Sequence, residues 1–156
     1  MVWIALLVGI VIIAALAYYA GSLLGQLRKQ RQIREQAVAK RNANLYESIA
    51  TIALAMQQKQ CDLSEGALRI AVLLDHLALP QNVQGERTFE QRYPAIHEMY
   101  ERIKHMPTHE ARKQYPRKEI RKMDAEREGY EVELEDAIQA DVAKLLVWVR
   151  EQRNQG

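Results

Sequence analysis

The sequence has little cysteine, and its first 27 residues contain no charged side chain. The single cysteine, Cys61, excludes an intrachain disulfide framework. Basic and acidic residues nearly balance, at 22 against 20. The basic coat typical of nucleic-acid-binding proteins is therefore missing, and we expect no nucleic-acid partner. Alternating strand patterns are absent as well, and the length of 156 residues allows one globular domain.

The apolar segment from Val2 to Gly25 is long enough to cross a membrane as a helix. At 1.5 Å per residue it would extend about 36 Å, against a hydrocarbon core of about 30 Å. A cleaved signal peptide is the alternative, with Ala15-Leu16-Ala17 as the cleavage triplet. A signal peptide would begin with basic residues, whereas this chain starts Met-Val-Trp-Ile with no charged side chain. The pattern favours a transmembrane anchor over residues 1–27.

A basic stalk follows the anchor and predicts its orientation. Between Arg28 and Arg41 there are six basic residues and one acidic residue, whereas the rest of the chain is slightly acidic. Basic clusters beside a span stay in the cytoplasm. We therefore expect a single-pass protein of the bacterial inner membrane, with its N-terminus outside, a stalk over 28–44 and a cytoplasmic domain over 45–156. The stalk could also contact anionic lipid headgroups through Arg28, Lys29, Arg31 and Arg34.

Small residues recur every four positions within the anchor, at Ala17, Gly21 and Gly25. Such spacing lets two membrane helices approach closely, so these residues form a candidate seam for a homodimer. Small residues are also common in membrane helices generally.

Beyond the stalk, apolar residues follow helical spacing and predict an all-α domain of four or five helices. Asp62 and Thr88 are each followed by an acidic residue two or three positions later, which predicts side-chain caps. The helix after Asp62 has a wide apolar stripe, extended by Leu68, Ala71 and Val72. It is expected at the centre of the core and to end at Pro80. A loop is predicted over 80–87. A long C-terminal helix runs from about 117 to 153, with its apolar half docked on the core.

Three polar side chains share one predicted helix face, at His97, Glu101 and His105. Imidazole and carboxylate groups on adjacent turns could hold a metal ion. The two histidines are about 12 Å apart along the helix axis, too far to share one ion. A solvated face with ion pairs explains the same spacing, so we assign no metal and no cofactor.

No catalytic residue is assigned either, because no phosphate loop, nucleophile elbow or triad order occurs. Cys61 lies beside a predicted helix N-terminus, where a thiol pKa can fall. The sequence offers it no neighbouring base, which favours an inert thiol. We identify no small-molecule substrate, and enzymatic activity stays open.

A local basic patch begins the long C-terminal helix and precedes an acidic stretch from Glu128 to Asp141. Opposite charges on one helix suit a charged protein partner or an antiparallel second copy, although a solvated mixed-charge helix has the same composition. The residues expected to contact a protein partner are His105, His109, Glu110, Arg112, Lys113, Arg117 and Arg121.

Three segments carry a resemblance to a known family: the anchor with its basic flank, CDLSEGALRIAVLLD (61–75), and YPAIHEMYERIKHMPTHEARK (93–113). With the acidic helix that follows, the chain resembles a family of small bacterial proteins that is a domain of unknown function. The resemblance implies an N-terminally anchored helical protein facing the cytoplasm, and it implies no activity or cofactor.

We therefore expect a membrane-anchored interaction or scaffolding module. The alternatives are a membrane-tethered metal-dependent enzyme and a protein that binds anionic lipid.

Overall fold

The structure, a computed structural model, describes residues 2–78 and 88–155. This part of the chain folds into six helices and contains no strand, which confirms the all-α class. The predicted loop over 80–87 and the predicted stop at Pro80 lie outside the described residues. The helices are α1 (Val2–Gln57), α2 (Leu63–Asp75), α3 (Phe89–Arg92), α4 (Pro94–Ile103), α5 (His109–Arg112) and α6 (Arg117–Gln155).

The apolar N-terminal part of α1 has the length and composition of a membrane span. Among the described residues it is the one helix that does, and none of its apolar window is buried. Large side chains such as Trp3 and Tyr18 are 81% and 82% exposed. An exposed apolar surface of this size needs a non-aqueous environment or a partner.

The chain divides into two compact units, Met1–Lys40 and Arg41–Gly156, and the division falls within α1. In the second unit, α2, α4 and α6 pack against one another around one apolar core. Residues spaced three or four apart on each helix fill it, including Ile70, Ile96 and Ile138, which are fully buried. The unit also contains the end of α1, through Ile49 and other buried side chains.

The apolar stripe of α2 is narrower than predicted. Ala67, Ile70, Ala71 and Leu74 are buried as expected, but Leu68 is only partly buried and Val72 is exposed. Gly66 is buried against Met56, and a Cβ at this position would collide with the Met56 side chain. The backbone of α2 therefore comes close to α1 at Gly66, an approach that the apolar pattern does not predict.

The predicted side-chain caps are wrong, although Asp62 and Thr88 do occupy the N-cap positions of α2 and α3. Neither side chain bonds the helix that it precedes. Carboxylates of α6 instead reach two helix N-termini. Glu131 accepts a hydrogen bond from the Ser64 N–H of α2 at 3.2 Å, and Asp141 accepts one from the Ala95 N–H of α4 at 2.8 Å.

The long helix α6 is continuous through Gly129. Its C-terminal half is docked on the core through Val142, Leu145 and Val149, as predicted. Its charged half lies along the surface of the same unit and is held there by hydrogen bonds and ion pairs.

Candidate functional site

Two neighbouring depressions lie beside the first half of α6, one bordered by α2, α4 and α5 and the other by α5. The first, which we call the groove, has a volume of about 350 Å³. It is lined by Ser64, Glu65, Leu68, Arg69, Ile103, Met106, Pro107, Thr108, Arg112, Met123, Asp124 and Arg127. Charged and apolar side chains therefore share one lining.

The second depression, which we call the basic corner, has a volume of about 500 Å³. It is lined by Arg112, Lys113, Tyr115, Arg117, Ile120 and Arg121. Arg112 belongs to both depressions, so the groove and the basic corner are contiguous.

Two prolines explain why the chain turns here. Pro107 follows the end of α4, and Pro116 separates α5 from α6. Proline lacks the N–H that a helix interior needs, so each one favours a break in the helix. The single turn of α5 between them brings Arg112 back beside the first turns of α6.

One ion pair joins α5 to α6 at the border of the two depressions. Arg112 Nη2 donates to Asp124 Oδ2 at 2.7 Å. This hydrogen bond lowers the pKa of the Asp124 carboxyl, and desolvation opposes the shift. Asp124 therefore stays ionised and holds Arg112 in place at neutral pH.

A second set of charges links α4 to α6. Arg102 donates to both Glu133 oxygens, at 2.7 and 3.0 Å, and to Glu98 at 2.5 Å. Its guanidinium carbon also lies 5.0 Å from the centre of the Tyr130 ring, within reach of a cation–π interaction. The hydrogen bond from Arg102 lowers the pKa of the Glu133 carboxyl. These contacts hold the charged half of α6 where it borders the groove.

The structure brings four of the seven predicted contact residues together, because Arg112, Lys113, Arg117 and Arg121 all line the basic corner. Glu110 is exposed and pairs with Lys113 at 2.7 Å. His105 is exposed and does not line either depression. The side chain of His109 lies outside the described residues.

The three residues weighed as a metal site are not brought together. His97 is buried on α4, with Nδ1 at 3.1 Å from the Tyr93 carbonyl oxygen, whereas Glu101 is exposed and pairs with Lys104. Among the described residues, no group of three or more His, Cys, Asp and Glu side chains could hold a metal ion. His97 therefore faces the core whereas Glu101 faces solvent, although the helical spacing placed them on one face.

Cys61 lies beside the N-terminus of α2, but its thiol does not have the lowered pKa that this position can produce. Burial and the neighbouring Glu65 charge both raise its pKa. A raised pKa reduces the thiolate fraction at neutral pH, so the site lacks an activated nucleophile at this position.

Sequence reasoning missed the groove and most of its charged lining. Arg127 interrupts the apolar spacing of α6 between Met123 and Tyr130. This interruption could have predicted the groove, because a charged residue on the packed face of a helix needs a polar or hydrated pocket. Arg69 and Asp124 carry no comparable signal, since their spacing also fits a solvated face.

Comparison with known proteins places these features in a family. The family model described as "Protein of unknown function (DUF2489)" matches residues 13–145. A Haemophilus influenzae protein that is described only as uncharacterized is 35% identical over 146 residues, covering 94% of each chain. No solved structure matches the chain. The chain therefore belongs to the DUF2489 family, a bacterial family of unknown function.

Proposed function

We propose that this protein is an interaction module of the bacterial inner membrane, and that it binds an acidic segment of a protein partner at the basic corner. In this proposal α1 crosses the membrane with its N-terminus outside, and the helical domain faces the cytoplasm. The observation that carries the proposal is the set of three exposed basic side chains in one depression, Lys113, Arg117 and Arg121, beside the exposed aromatic ring of Tyr115.

Two of the four basic side chains of the basic corner are available to a partner, because Arg112 and Lys113 already pair with Asp124 and Glu110. Arg117 and Arg121 are exposed, and neither forms an ion pair within residues 2–78 and 88–155. Opposite charge on a partner would steer association and fix its register, with a strong dependence on ionic strength. Tyr115 is 45% exposed and adds a large apolar contact of the type enriched at interfaces.

The experiment is an in-cell crosslinking pull-down of the full-length tagged protein, read by mass spectrometry. The test variant carries Arg117→Glu and Arg121→Glu. The matched control carries Arg150→Glu and Arg153→Glu, which make the same charge change at the other end of α6, where both side chains are exposed. We expect one reproducible partner to be lost in the test variant and kept in the control. Equal recovery from both variants, or equal loss, would contradict the proposal.

The orientation in this proposal rests on the basic flank of the span. Fusing a fluorescent protein that matures only in the cytoplasm to the C-terminus tests it. We expect fluorescence from the native chain and less from a variant with Arg28, Lys29, Arg31 and Arg34 replaced by Gln. A native fusion that does not fluoresce would contradict the orientation.

A homodimer through the anchor belongs to the same proposal. A Cβ added at Gly21 or Gly25 meets nothing within 4 Å, so this face of α1 is open to a second helix. We expect Gly21→Leu to reduce crosslinked dimer in membranes. Gly9→Leu is the matched control because it also lies in the apolar part of α1 with open space around it. Equal dimer in both variants would remove the seam.

Contact with anionic lipid is a second candidate function. The four basic side chains of the flank are all exposed, and no ion pair occupies them among the described residues: Arg28, Lys29, Arg31 and Arg34. Each basic residue near an anionic surface adds about 1 kcal/mol of attraction. In nanodiscs of mixed phosphatidylglycerol and phosphatidylcholine, native mass spectrometry should show retained phosphatidylglycerol that the Gln variant loses.

A further inference from the structure

The groove contains one arginine that the fold leaves incompletely bonded. Arg69 pairs with Glu65, and Arg112 pairs with Asp124 at 2.7 Å, so two of the three arginines in the lining are neutralised. The third, Arg127, has a side chain that is 31% exposed.

Every contact of the Arg127 guanidinium is long. Nη1 is 3.4 Å from Ser64 Oγ and 3.9 Å from Asp62, and Nη2 is 3.8 Å from Asp124 Oδ1. Hydrogen bonds between N–H groups and oxygen normally measure about 2.7–3.2 Å. The Nε atom is buried and has no partner among the described residues. A buried donor without a partner is unfavourable unless a ligand or water supplies an acceptor.

The charge of the lining indicates a ligand with one negative charge. Three arginines face two carboxylates, Glu65 and Asp124, which leaves one positive charge in excess. Asp62 is not part of the lining, and its side chain is 67% exposed, so solvent screens it. A phosphate monoester carries close to two charges at neutral pH and fits this balance less well.

The rest of the lining is apolar and flexible. Met106 and Met123 contribute side chains that adapt to the shape of a bound group. Leu68, Ile103 and Pro107 extend this apolar surface. At about 30 Å³ for each water-sized group, the volume admits roughly a dozen non-hydrogen atoms.

We propose that the groove binds a small amphipathic monocarboxylate, with its carboxylate on the Arg127 guanidinium and its apolar body against Met106 and Met123. This site goes beyond the partner surface, because Arg127 does not line the basic corner. The planar guanidinium presents its donors in a fork that matches a carboxylate.

The test uses 4-phenylbutyrate as the probe, which has an apolar body, one carboxylate and a suitable size. Full-length protein labelled at the methionine ε-methyl carbons is placed in nanodiscs of zwitterionic lipid and titrated. We expect saturable NMR shifts at Met106 and Met123, but not at the core residues Met56 and Met99, which are fully buried. The neutral analogue 4-phenylbutanol should bind about tenfold more weakly, because it lacks the charge-assisted hydrogen bonds.

The Arg127→Met variant identifies the group that recognises the carboxylate. It keeps an apolar stem of similar length and removes the guanidinium. We expect 4-phenylbutyrate to lose about tenfold in affinity, down to the level of the alcohol, while the affinity of the alcohol is unchanged. Arg150→Met is the matched control and should bind both compounds as the native chain does.

Three results would overturn the proposal. They are no saturable shift up to about 10 mM, equal affinity of the native protein for the acid and the alcohol, or unchanged acid affinity in Arg127→Met. The second comparison uses only the native chain, so it decides the question even where Arg127→Met fails to fold. A positive result would stand whether or not the basic corner binds a protein.

Discussion

The two halves of α6 are parts of one continuous helix that attach to the domain by different forces. The C-terminal half buries Ile138, Val142 and Leu145 completely, whereas the N-terminal half attaches through ion pairs and hydrogen bonds. Burial of apolar surface is non-directional and leaves no group waiting for a ligand. Hydrogen bonds and ion pairs are directional, so a donor stays without a partner wherever no acceptor lies at the right distance and angle. Both depressions that we assign to binding lie along the polar half.

The largest effect should come from the apolar half. Leu145 is fully buried, so Leu145→Ala should lower the free energy of unfolding by about 2–5 kcal/mol through lost burial and a residual cavity. Denaturant unfolding of the full-length protein, followed by circular dichroism, measures this change. Val147→Ala on the same helix is the control: Val147 is 58% exposed, so the expected change is below about 0.5 kcal/mol. Similar values for the two variants would break the comparison.

An intermediate effect is expected where the halves meet. The buried Asp141 carboxylate accepts the Ala95 N–H at the first turn of α4. Asp141→Ala leaves that buried donor unpaired and should cost about 1–3 kcal/mol, measured by the same unfolding experiment. Asp136 lies five residues earlier on α6 and is exposed, so Asp136→Ala should cost less than about 0.5 kcal/mol. A harmless Asp141→Ala would mean that this tertiary cap does not stabilise α4.

The smallest effect belongs to the polar half, and pH should reveal it. The pKa of Glu133 is lowered by its hydrogen bond from Arg102, so the folded carboxylate stays ionised to lower pH than the unfolded one. Its stabilisation is present above the ordinary glutamate pKa and is lost as the pH falls through the lowered value. Arg102→Gln should therefore reduce the melting temperature by a few degrees at pH 7, and by less below about pH 4.3.

Thermal unfolding of both proteins from pH 7 down to acid measures this difference. Arg150→Gln is the control, because Arg150 is exposed and no ion pair holds it among the described residues. If the difference between Arg102→Gln and the native chain were constant across this pH range, the cation–π contact with Tyr130, and not the carboxylate pair, would account for the stabilisation.

Local patterns in the sequence predict the elements well and their polar partners poorly. The apolar repeat predicts α4 and the buried half of α6, because burial requires only that side chains share one helix face. The same reasoning assigns helix caps to Asp62 and Thr88, which the fold does not use. The carboxylates that reach the helices come from α6, 67 and 46 residues away in the chain. No local pattern contains contacts at that separation.

The sequence by itself determined the helical class, the long uncharged N-terminal segment and its basic flank, because composition and periodicity act within a few turns of one helix. The sequence also places four basic residues of the basic corner within ten positions of one another: Arg112, Lys113, Arg117 and Arg121. Only the tertiary structure decided that His97 is buried and that Arg127 lines a groove with its Nε–H lacking a hydrogen-bond partner among the described residues. Both outcomes depend on which distant surfaces meet, and a side chain is satisfied or left unmatched only after those surfaces have packed.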